Sequence, residues 1–523
     1  MKVLFAHKKH PIEPLGVGYL ASSIARGGHE SRLELTSRDI NEAVAHMSSV
    51  IDEYKPNIFA QSIIFGSHGY SIELNKRLAE KYPNLVSVLG GPAATFTPEL
   101  IDRGFDAICR YEGENPFLEF CNALEKGEDI GNIPNIWIKA NPNKYFTKIR
   151  ELKKITDIDN PQYVNESGFD AERMRFVNAT RSLLQDEALN AIPFPDRKLL
   201  YSQRTFAEGP IKHFMLTRGC AFHCTYCHVE MQNIQNKGKG KVVRLRDYES
   251  FVNEVNQVQE LCSKRGLPFE LVYLQDDIMG PTYRIDWARE FADISSSELG
   301  MSIHGHVRFD LINDDIAKAL SEAGVTGVHV AIESGDEHIR NDIHRRGMTD
   351  KQVIEGSASL RKYGIKMMTQ NILGALEENR QTMYKTLEMN IAVKPTYASA
   401  AIFQPFPGTS ALERAKETGV MPTKDVNKLI DLFGMETFYN HSILANDPKE
   451  KRWMEVFQKF FAIAVENPEI YHSGKLEKMM EPYLASNNGD DEELREMYRA
   501  HRAKKDEELY GVKLTNIVDK DEE

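Results

Sequence analysis

Three cysteines stand close together near the middle of the chain, within the run from Phe214 to Glu230. They are Cys220, Cys224 and Cys227, and they make up half of the six cysteines in the sequence. Three thiolates on one loop can bind three irons of a four-iron, four-sulfur cluster, which leaves the fourth iron without a protein ligand. An iron with a free coordination position can bind a reactant, so the loop is a candidate catalytic centre.

A zinc site is the main alternative for the same loop. Structural zinc sites take four ligands, and His223 or His228 could complete a set with the three thiols. Inert, buried cysteines explain the pattern less well, because chance rarely places half of a chain's thiols in one loop.

The composition indicates a globular protein of several domains. A chain of 523 residues with 41% hydrophobic content allows two to four domains of roughly 100–200 residues each. No apolar run approaches the roughly 20 residues of a membrane helix, and the N-terminus has no signal-peptide core. We therefore expect a cytoplasmic protein with no membrane span and no disulfide framework.

The net charge of −12 argues against a nucleic-acid partner, because phosphate binding requires an excess of Lys and Arg. The basic loop from Lys237 to Lys241 is the local exception. Its simplest interpretation is a solvated loop, and the alternative is a mobile lid over an acidic substrate.

Residues 1–140 alternate short apolar runs with helical patterns, which predicts a doubly wound α/β domain with a parallel sheet. The predicted strands are Lys2–Ala6, Arg32–Leu35, Asn57–Ile64, Leu85–Leu89 and Asp106–Arg110. Ligands bind at the carboxyl ends of such strands, where the candidate contacts are Ser62, Gly90, Gly91 and Gly113. No G-x-G-x-x-G run follows the first strand, so we do not expect a nicotinamide dinucleotide.

A less regular linker, residues 141–210, precedes a second alternating region at residues 211–425. Its predicted strands are His213–Leu216, Leu271–Leu274, Met301–Gly305, Gly327–Ile332, Lys366–Ile372 and Ala398–Phe403. Six βα units predict a partial TIM-type barrel with its active site at the strand C-termini. The polar residues there include Asp276, Asp277, Arg308, Glu333 and Ser334. Residues 426–523 are predicted to be helical, with an apolar stripe from Trp453 to Ala464 that packs on the barrel.

Taken in order, these motifs resemble the radical S-adenosylmethionine (SAM) enzymes that carry a cobalamin-binding domain. The resemblance spans roughly residues 1–425. It rests on the cysteine spacing, on Tyr226 before the third cysteine, and on the runs Pro14–Leu20, Gly90–Thr95, Glu112–Glu114, Ala331–Gly335, His344–Gly347 and Pro405–Thr409. It implies a Rossmann-like cobalamin-binding domain, a (β/α)6 radical SAM barrel and a helical C-terminal region.

The resemblance also implies three cofactors: a 4Fe-4S cluster, SAM and cobalamin. SAM would chelate the open iron, with Asp276 or Asp277 at its amino group and Glu333, Ser334 and Arg308 near its ribose or methionine part. The nucleotide tail of cobalamin would enter the first sheet near Ser62, Gly90 and Gly91, beside Gly113 and Glu114. The D-x-H-x-x-G motif is absent, so no histidine on cobalt is expected from it.

The implied activity is methyl transfer to an unactivated carbon or phosphorus, started by a 5′-deoxyadenosyl radical and completed by methylcobalamin. The implied partners are an external one-electron reductant and a small-molecule, peptide or protein substrate. Three alternatives remain open: a cobalamin-dependent rearrangement or oxidative cyclisation, a non-catalytic corrinoid or iron–sulfur redox carrier, and transfer-RNA methylthiolation. The last would require a second cluster, and the N-terminal region offers only Cys109 and Cys121.

Overall fold

The computed structural model describes residues 1–141, 143–145, 167–179, 183–184, 186–433, 441–444, 447–484 and 492–514. The part of the predicted linker between 146 and 166 and the charged end of the chain, 515–523, lie outside the described residues. Within the described residues, two large sheets organise the chain, one of eight strands and one of six.

The first sheet begins with five parallel strands in the order β2-β1-β3-β4-β5. Its strands are β1 (Lys2–Lys8), β2 (Glu30–Thr36), β3 (Ile58–Ser62), β4 (Val86–Gly90), β5 (Ala107–Cys109), β6 (Ile136–Lys139), β7 (Gly168–Asp170) and β8 (Arg175–Val177). The last three pair antiparallel. The strand order reverses between β1 and β3, and ligands of doubly wound sheets bind at this switch point.

Helices cover both faces of this sheet. They are α1 (Leu15–Ala25), α2 (Ile40–Tyr54), α3 (His68–Lys81), α4 (Pro92–Phe96) and α5 (Glu114–Lys126). The start of α2 shows how the sequence sets these elements. The side chain of Asp39 accepts hydrogen bonds from the backbone N–H groups of Asn41 and Glu42, which have no partner inside the helix.

Three short helices follow: α6 (Asp186–Ala191), α7 (Arg197–Leu200) and α8 (Arg204–Ala207). Arg197 is buried at the junction of the two sheets. Its guanidinium donates to Glu13 of the first domain at 2.6 Å and to Glu254 of the second at 2.7 Å. Breaking a buried, doubly paired charge is costly, so this residue fixes how the domains face each other.

The second sheet has six parallel strands in the order β16-β15-β14-β13-β12-β9. Its strands are β9 (Ile211–Phe214), β12 (Leu271–Leu274), β13 (Ser302–Val307), β14 (Val325–Glu333), β15 (Lys366–Leu373) and β16 (Tyr397–Ile402); β10 (Thr217–Arg218) and β11 (Arg244–Leu245) form a small ribbon beside it. The connecting helices are α9 (His228–Gln235), α10 (Tyr248–Arg265), α11 (Ile285–Glu298), α12 (Asp314–Glu322), α13 (Asp350–Lys362), α14 (Arg380–Val393) and α15 (Ser410–Glu417). The predicted partial (β/α)6 barrel is confirmed.

The C-terminal region is helical where it is described, as predicted. Its helices are α16 (Val426–Phe433), α17 (Pro448–Glu466), α18 (Pro468–His472), α19 (Lys475–Leu484) and α20 (Glu492–Tyr510). The apolar stripe of α17 packs on the outer faces of β15 and β16. The end of α20 contacts Leu271 and Lys366, the first residues of β12 and β15, and so closes the amino-terminal end of the barrel. Among the described helices, none is long and apolar enough to cross a membrane.

Candidate active site

The three cysteines lie on the loop between β10 and α9. Gly219 starts this loop with φ of +88°, and a Cβ there would lie 2.2 Å from the carbonyl oxygen of Val242. Only glycine therefore permits the close approach of the loop to the strand ribbon. Further along, the hydroxyl of Thr225 donates to the carbonyl of Ile343 at 2.6 Å, and Asn233 donates to the carbonyl of Cys220 at 2.8 Å. The loop is thus held in place by its surroundings.

The donor set of the loop fits an iron–sulfur cluster. All three thiols are free, with Cys224 buried and the other two partly exposed. Among the described residues, no three His, Cys, Asp or Glu side chains converge on a site for one ion. In a cluster, by contrast, each thiolate binds a different iron. Arg308 and Arg346 each place a guanidinium nitrogen 3.7 Å from the Cys224 sulfur, which favours the thiolate that binds iron.

Tyr226 joins the cysteine loop to the end of β14. Its hydroxyl donates to Glu333 at 2.7 Å and accepts from Arg346 at 3.1 Å. The register of β14 shifts between Ala331 and Glu333, and Glu333 has φ of +66°, so the bulge turns this carboxyl towards the loop. Burial raises the pKa of Glu333, and the charge of Arg346 opposes that rise. Strained backbone at such a position is typical of functional sites.

Replacing Tyr226 with phenylalanine is expected to weaken SAM binding about tenfold. The change removes a hydrogen bond of roughly 1.5 kcal/mol to a buried carboxylate that we expect to bind SAM. Equilibrium dialysis of SAM against the cluster-loaded protein measures the effect. Tyr248→Phe is the matched control, because its hydroxyl bonds the carbonyl of Trp287 away from the site. If Tyr226→Phe bound SAM with unchanged affinity, Glu333 would not be a SAM-binding residue.

The two neighbouring aspartates at the end of β12 have different surroundings. Asp276 is buried, accepts a hydrogen bond from the backbone N–H of Leu216 at 2.8 Å, and so fixes the end of β9. Burial raises the pKa of Asp276 to about 7. Asp277 is exposed and lines the cavity between the domains. The geometry therefore favours Asp277 over Asp276 as the carboxylate that faces a ligand.

Ser334, a predicted SAM contact, lies below the surface of the site. It is fully buried, its hydroxyl lies 3.4 Å from that of Thr386 on α14, and it accepts from the backbone N–H of Asp336. These bonds place Ser334 in the support of the site rather than at its surface. Arg346 is a further site residue that was not predicted from the sequence. The run His344–Gly347 points to this region, but the sequence does not show which of its two arginines turns inward.

A cavity of about 890 Å³ lies between the two domains, at the strand switch point of the first sheet. The five residues predicted to contact cobalamin all line it: Ser62, Gly90, Gly91, Gly113 and Glu114. The barrel side contributes Thr217, Arg218 and Asp277. The cavity therefore reaches from the strand ends of the first domain to residues beside the cysteine loop.

Glycine is required at one strand end that lines this cavity. Gly91 has φ of +90°, and a Cβ there would lie 2.5 Å from the carbonyl oxygen of Ile63 and 3.1 Å from the Ser62 hydroxyl. Gly91 therefore packs closely on the end of β3, and Ser62, Gly90 and Gly91 all line the cavity. These three residues would hold the nucleotide tail of cobalamin.

Glu114 also bridges the domains. Arg218, two residues before Cys220, donates to Glu112 at 3.1 Å and to Glu114 at 2.7 Å, and Arg244 donates to Glu112 at 2.6 Å. Burial opposes ionisation of Glu112, but Arg218 and Arg244 hold its pKa below the usual range. These ion pairs tie the cysteine loop to the first domain.

Two domain families match the chain. Residues 1–120 match the B12 binding domain, and residues 214–389 match the radical SAM superfamily. An uncharacterized methyltransferase of Pyrococcus horikoshii is 27% identical over 79% of this chain and 81% of its own length. An anaerobic magnesium-protoporphyrin IX monomethyl ester cyclase of Rubrivivax gelatinosus is 22% identical over 78% of this chain and 68% of its own length.

Solved structures share the fold. The radical SAM methyltransferase TsrM from Kitasatospora setae, with tryptophan and a SAM analogue bound, superposes with a TM-score of 0.60 and 16% identity, covering 81% of this chain and 77% of that one. OxsB with aqua-cobalamin and SAM bound superposes with a TM-score of 0.64 and 15% identity, covering 96% and 75%. The predicted cofactors, a 4Fe-4S cluster, SAM and cobalamin, are those of the two matched domains. The chain therefore belongs to the cobalamin-binding radical SAM enzymes.

Proposed function

We propose that the protein transfers a methyl group to an unactivated carbon, or to phosphorus, in a small molecule or a peptide or protein side chain. The shared cavity is the observation that supports this most directly. Strand ends of the first domain and residues beside the cysteine loop line one space of about 890 Å³. A methyl donor bound by the first domain can therefore meet a substrate bound over the barrel.

The chain's own residues bind and orient the reactants. When bound, the cluster and SAM supply a radical that removes hydrogen from the substrate, and cobalamin supplies the methyl group. Cys220, Cys224 and Cys227 would hold the cluster. Asp277 and Glu333 would hold the amino group and the ribose or methionine part of SAM. The ion pairs of Arg218 and Arg244 with Glu112 and Glu114 join the two halves of the site.

An external one-electron reductant completes the proposal. Cys220 and Cys227 are partly exposed, so the cluster loop lies near a surface that a small flavodoxin- or ferredoxin-like protein could approach.

Anaerobic turnover with SAM that carries a CD3 group tests the methyl transfer. The loaded enzyme, a reductant and metabolite and peptide fractions from cells lacking the gene are incubated together. We expect a product with the CD3 group, and 5′-deoxyadenosine and S-adenosylhomocysteine in equal amounts. The Cys224→Ala protein is the control for product formed without the radical.

The second candidate is cyclisation or rearrangement without methyl transfer. It is favoured by the similarity, over most of this chain, to a protein named as a cyclase. In the same experiment it would give 5′-deoxyadenosine and a changed product without label. That outcome would overturn the methyltransferase proposal.

A further inference from the structure

Two buried arginines contact the same cysteine. Arg308, directly after β13, and Arg346, in the segment before α13, each donate from Nη1 to the sulfur of Cys224 at 3.7 Å. The two arginines are only 2% and 7% exposed. Among the described residues, no lysine or arginine nitrogen is hydrogen-bonded to the sulfur of Cys220 or Cys227. The positive charge around the cysteine loop is therefore concentrated at one of its three thiols.

The charge of Arg308 is compensated by a carboxylate. Its Nε and Nη2 donate to the two oxygens of Asp310 at 3.0 and 3.1 Å, which makes a bidentate ion pair. Nη2 also donates to the backbone carbonyl of Arg346 at 2.7 Å. All three nitrogens of this guanidinium are thus hydrogen-bonded, and the pair of Arg308 and Asp310 presents little net charge to Cys224.

Arg346 has no such pairing. Its Nη1 donates to the hydroxyl of Tyr226 at 3.1 Å and its Nη2 to the carbonyl of Ala331 at 2.7 Å, both uncharged acceptors. The closest carboxylate oxygen among the described residues is Oε1 of Glu333, at 4.0 Å. Nε of Arg346 is buried and has no hydrogen-bond partner among them, which is unusual for a buried polar atom. Of the two charges at Cys224, that of Arg346 is therefore the less compensated.

An uncompensated charge at this position acts on the electrons of a bound cluster. Three thiolates give the cluster a net negative charge, and one electron from a reductant makes it more negative. A buried cation nearby stabilises the reduced form more than the oxidised form, and the low dielectric constant of the interior strengthens the effect. Arg346 is close enough for this effect, because it contacts the sulfur of Cys224.

We propose that Arg346 sets the reduction potential of the cluster, and that Arg308 and Asp310 together contribute little to it. In this step one electron passes from the external reductant to the oxidised cluster. The reductant is oxidised by one electron, and no bond forms or breaks in the protein. Arg346 raises the potential and so makes the cluster easier for that reductant to reduce.

This inference deepens the proposed function and rests on it in one respect, because it takes the three cysteines as the ligands of the cluster. Arg346 also belongs to the network of the expected SAM site, since it donates to Tyr226, which donates to Glu333 at 2.7 Å. Loss of Arg346 would therefore disturb SAM binding as well as the potential. For this reason the potential has to be measured without SAM.

A redox titration of the cluster-loaded protein, followed by EPR, tests the proposal. It is done anaerobically, without SAM or substrate, in solutions poised by titanium(III) citrate and redox dyes. Arg346→Gln removes the charge but keeps a polar side chain. At the midpoint potential of the unmodified protein, we expect the ratio of reduced to oxidised cluster to fall about tenfold in this variant. A tenfold fall corresponds to about 59 mV for a one-electron couple.

Arg308→Gln combined with Asp310→Asn is the matched control. It removes a guanidinium at the same distance from the Cys224 sulfur, together with the carboxylate that compensates it. We expect its ratio to stay within about twofold of the unmodified protein. Arg346→Lys keeps the charge and should recover most of the loss, and Arg346→Met, a second uncharged variant, should repeat it. Iron and sulfide content shows that each ratio is measured on a full cluster.

An unchanged ratio in Arg346→Gln would overturn the proposal. An equal fall in the Arg308→Gln and Asp310→Asn protein would also overturn it, because the two arginines would then act alike. An equal fall in Arg346→Lys would show that packing, and not charge, sets the potential.

The titration is independent of the label-transfer experiment, because it contains neither SAM nor substrate. Potentials that follow the charge of Arg346, with no labelled product, would support this inference and overturn methyl transfer. A labelled product, with the same potential in every variant, would do the reverse.

Discussion

Replacing Cys224 with alanine is expected to prevent assembly of the cluster and to abolish SAM cleavage, a fall of roughly a thousandfold or more. The loop offers three thiols, so the variant keeps two ligands where the cluster requires three. Cys224 is also the cysteine closest to two guanidinium groups, those of Arg308 and Arg346 at 3.7 Å each. Its loss would leave both charges buried beside an empty position.

Iron and sulfide content after anaerobic reconstitution measures the first effect, and the release of 5′-deoxyadenosine measures the second. Cys262→Ala is the matched control, because Cys262 is equally buried but lies on α10, within the hydrophobic core. That variant should bind a full cluster. If Cys224→Ala also bound a full cluster, the three cysteines would not be its ligands.

Strand β12 could be predicted because it is buried on both faces and reads as a continuous apolar run. Leu271–Leu274 was predicted to the residue, and the predicted Gly327–Ile332 lies within the observed Val325–Glu333. The strands β7 and β8 were missed within the predicted linker. Each has three residues, and β8 includes the buried Arg175. Arg175 forms one ion pair with Asp170, in the neighbouring strand β7, and another with Asp102, 73 positions away in the sequence. No local pattern shows such pairing.

The residue types of the candidate site could be predicted from the sequence, but the directions in which their side chains point could not. The sequence places Asp276 beside Asp277, and only the hydrogen bond from Leu216 shows that the first supports the fold. Likewise Arg345 has φ of +52°, a left-handed turn that leaves its side chain exposed and sends Arg346 inward. Such turns depend on the tertiary structure, whereas spacing and composition determine only which elements meet.

Glu114 illustrates a second limit of the sequence. The resemblance to the cobalamin-binding family predicted that it lies near cobalamin, and it does line the cavity. It also forms an ion pair with Arg218, a partner 104 positions away in the sequence. The same carboxylate therefore joins the domain that would bind cobalamin to the loop that would bind the cluster.

Replacing Gly91 with alanine is expected to remove most cobalamin binding and to leave the cluster intact. Gly91 has φ of +90° and ψ of −179°, a backbone conformation that is essentially restricted to glycine. A Cβ would lie 2.5 Å from the carbonyl oxygen and 2.8 Å from the nitrogen of Ile63. Because both contacts are to backbone, the end of β3 must move, and with it the Ser62 hydroxyl beside the proposed site of the nucleotide tail.

A displacement of this kind costs roughly 3 kcal/mol, which corresponds to an increase of more than about a hundredfold in the Kd for cobalamin. Titration with hydroxocobalamin and the cobalamin retained after gel filtration both measure it. Gly300→Ala is the matched control: Gly300 also has a positive φ, of +59°, but no atom lies within 4 Å of the added Cβ. It should cost about 1 kcal/mol of stability and leave cobalamin affinity unchanged.

The two variants separate backbone strain from damage to the cavity. Both place alanine at a positive φ, so any general loss of folding should appear in both, whereas loss of cobalamin should appear only in Gly91→Ala. Cluster content should be normal in each, because the cysteine loop is held by Thr225 and Asn233 on the barrel side. Normal cobalamin affinity in Gly91→Ala would mean that the cofactor binds away from the β3 and β4 strand ends, and the cavity would then need another ligand.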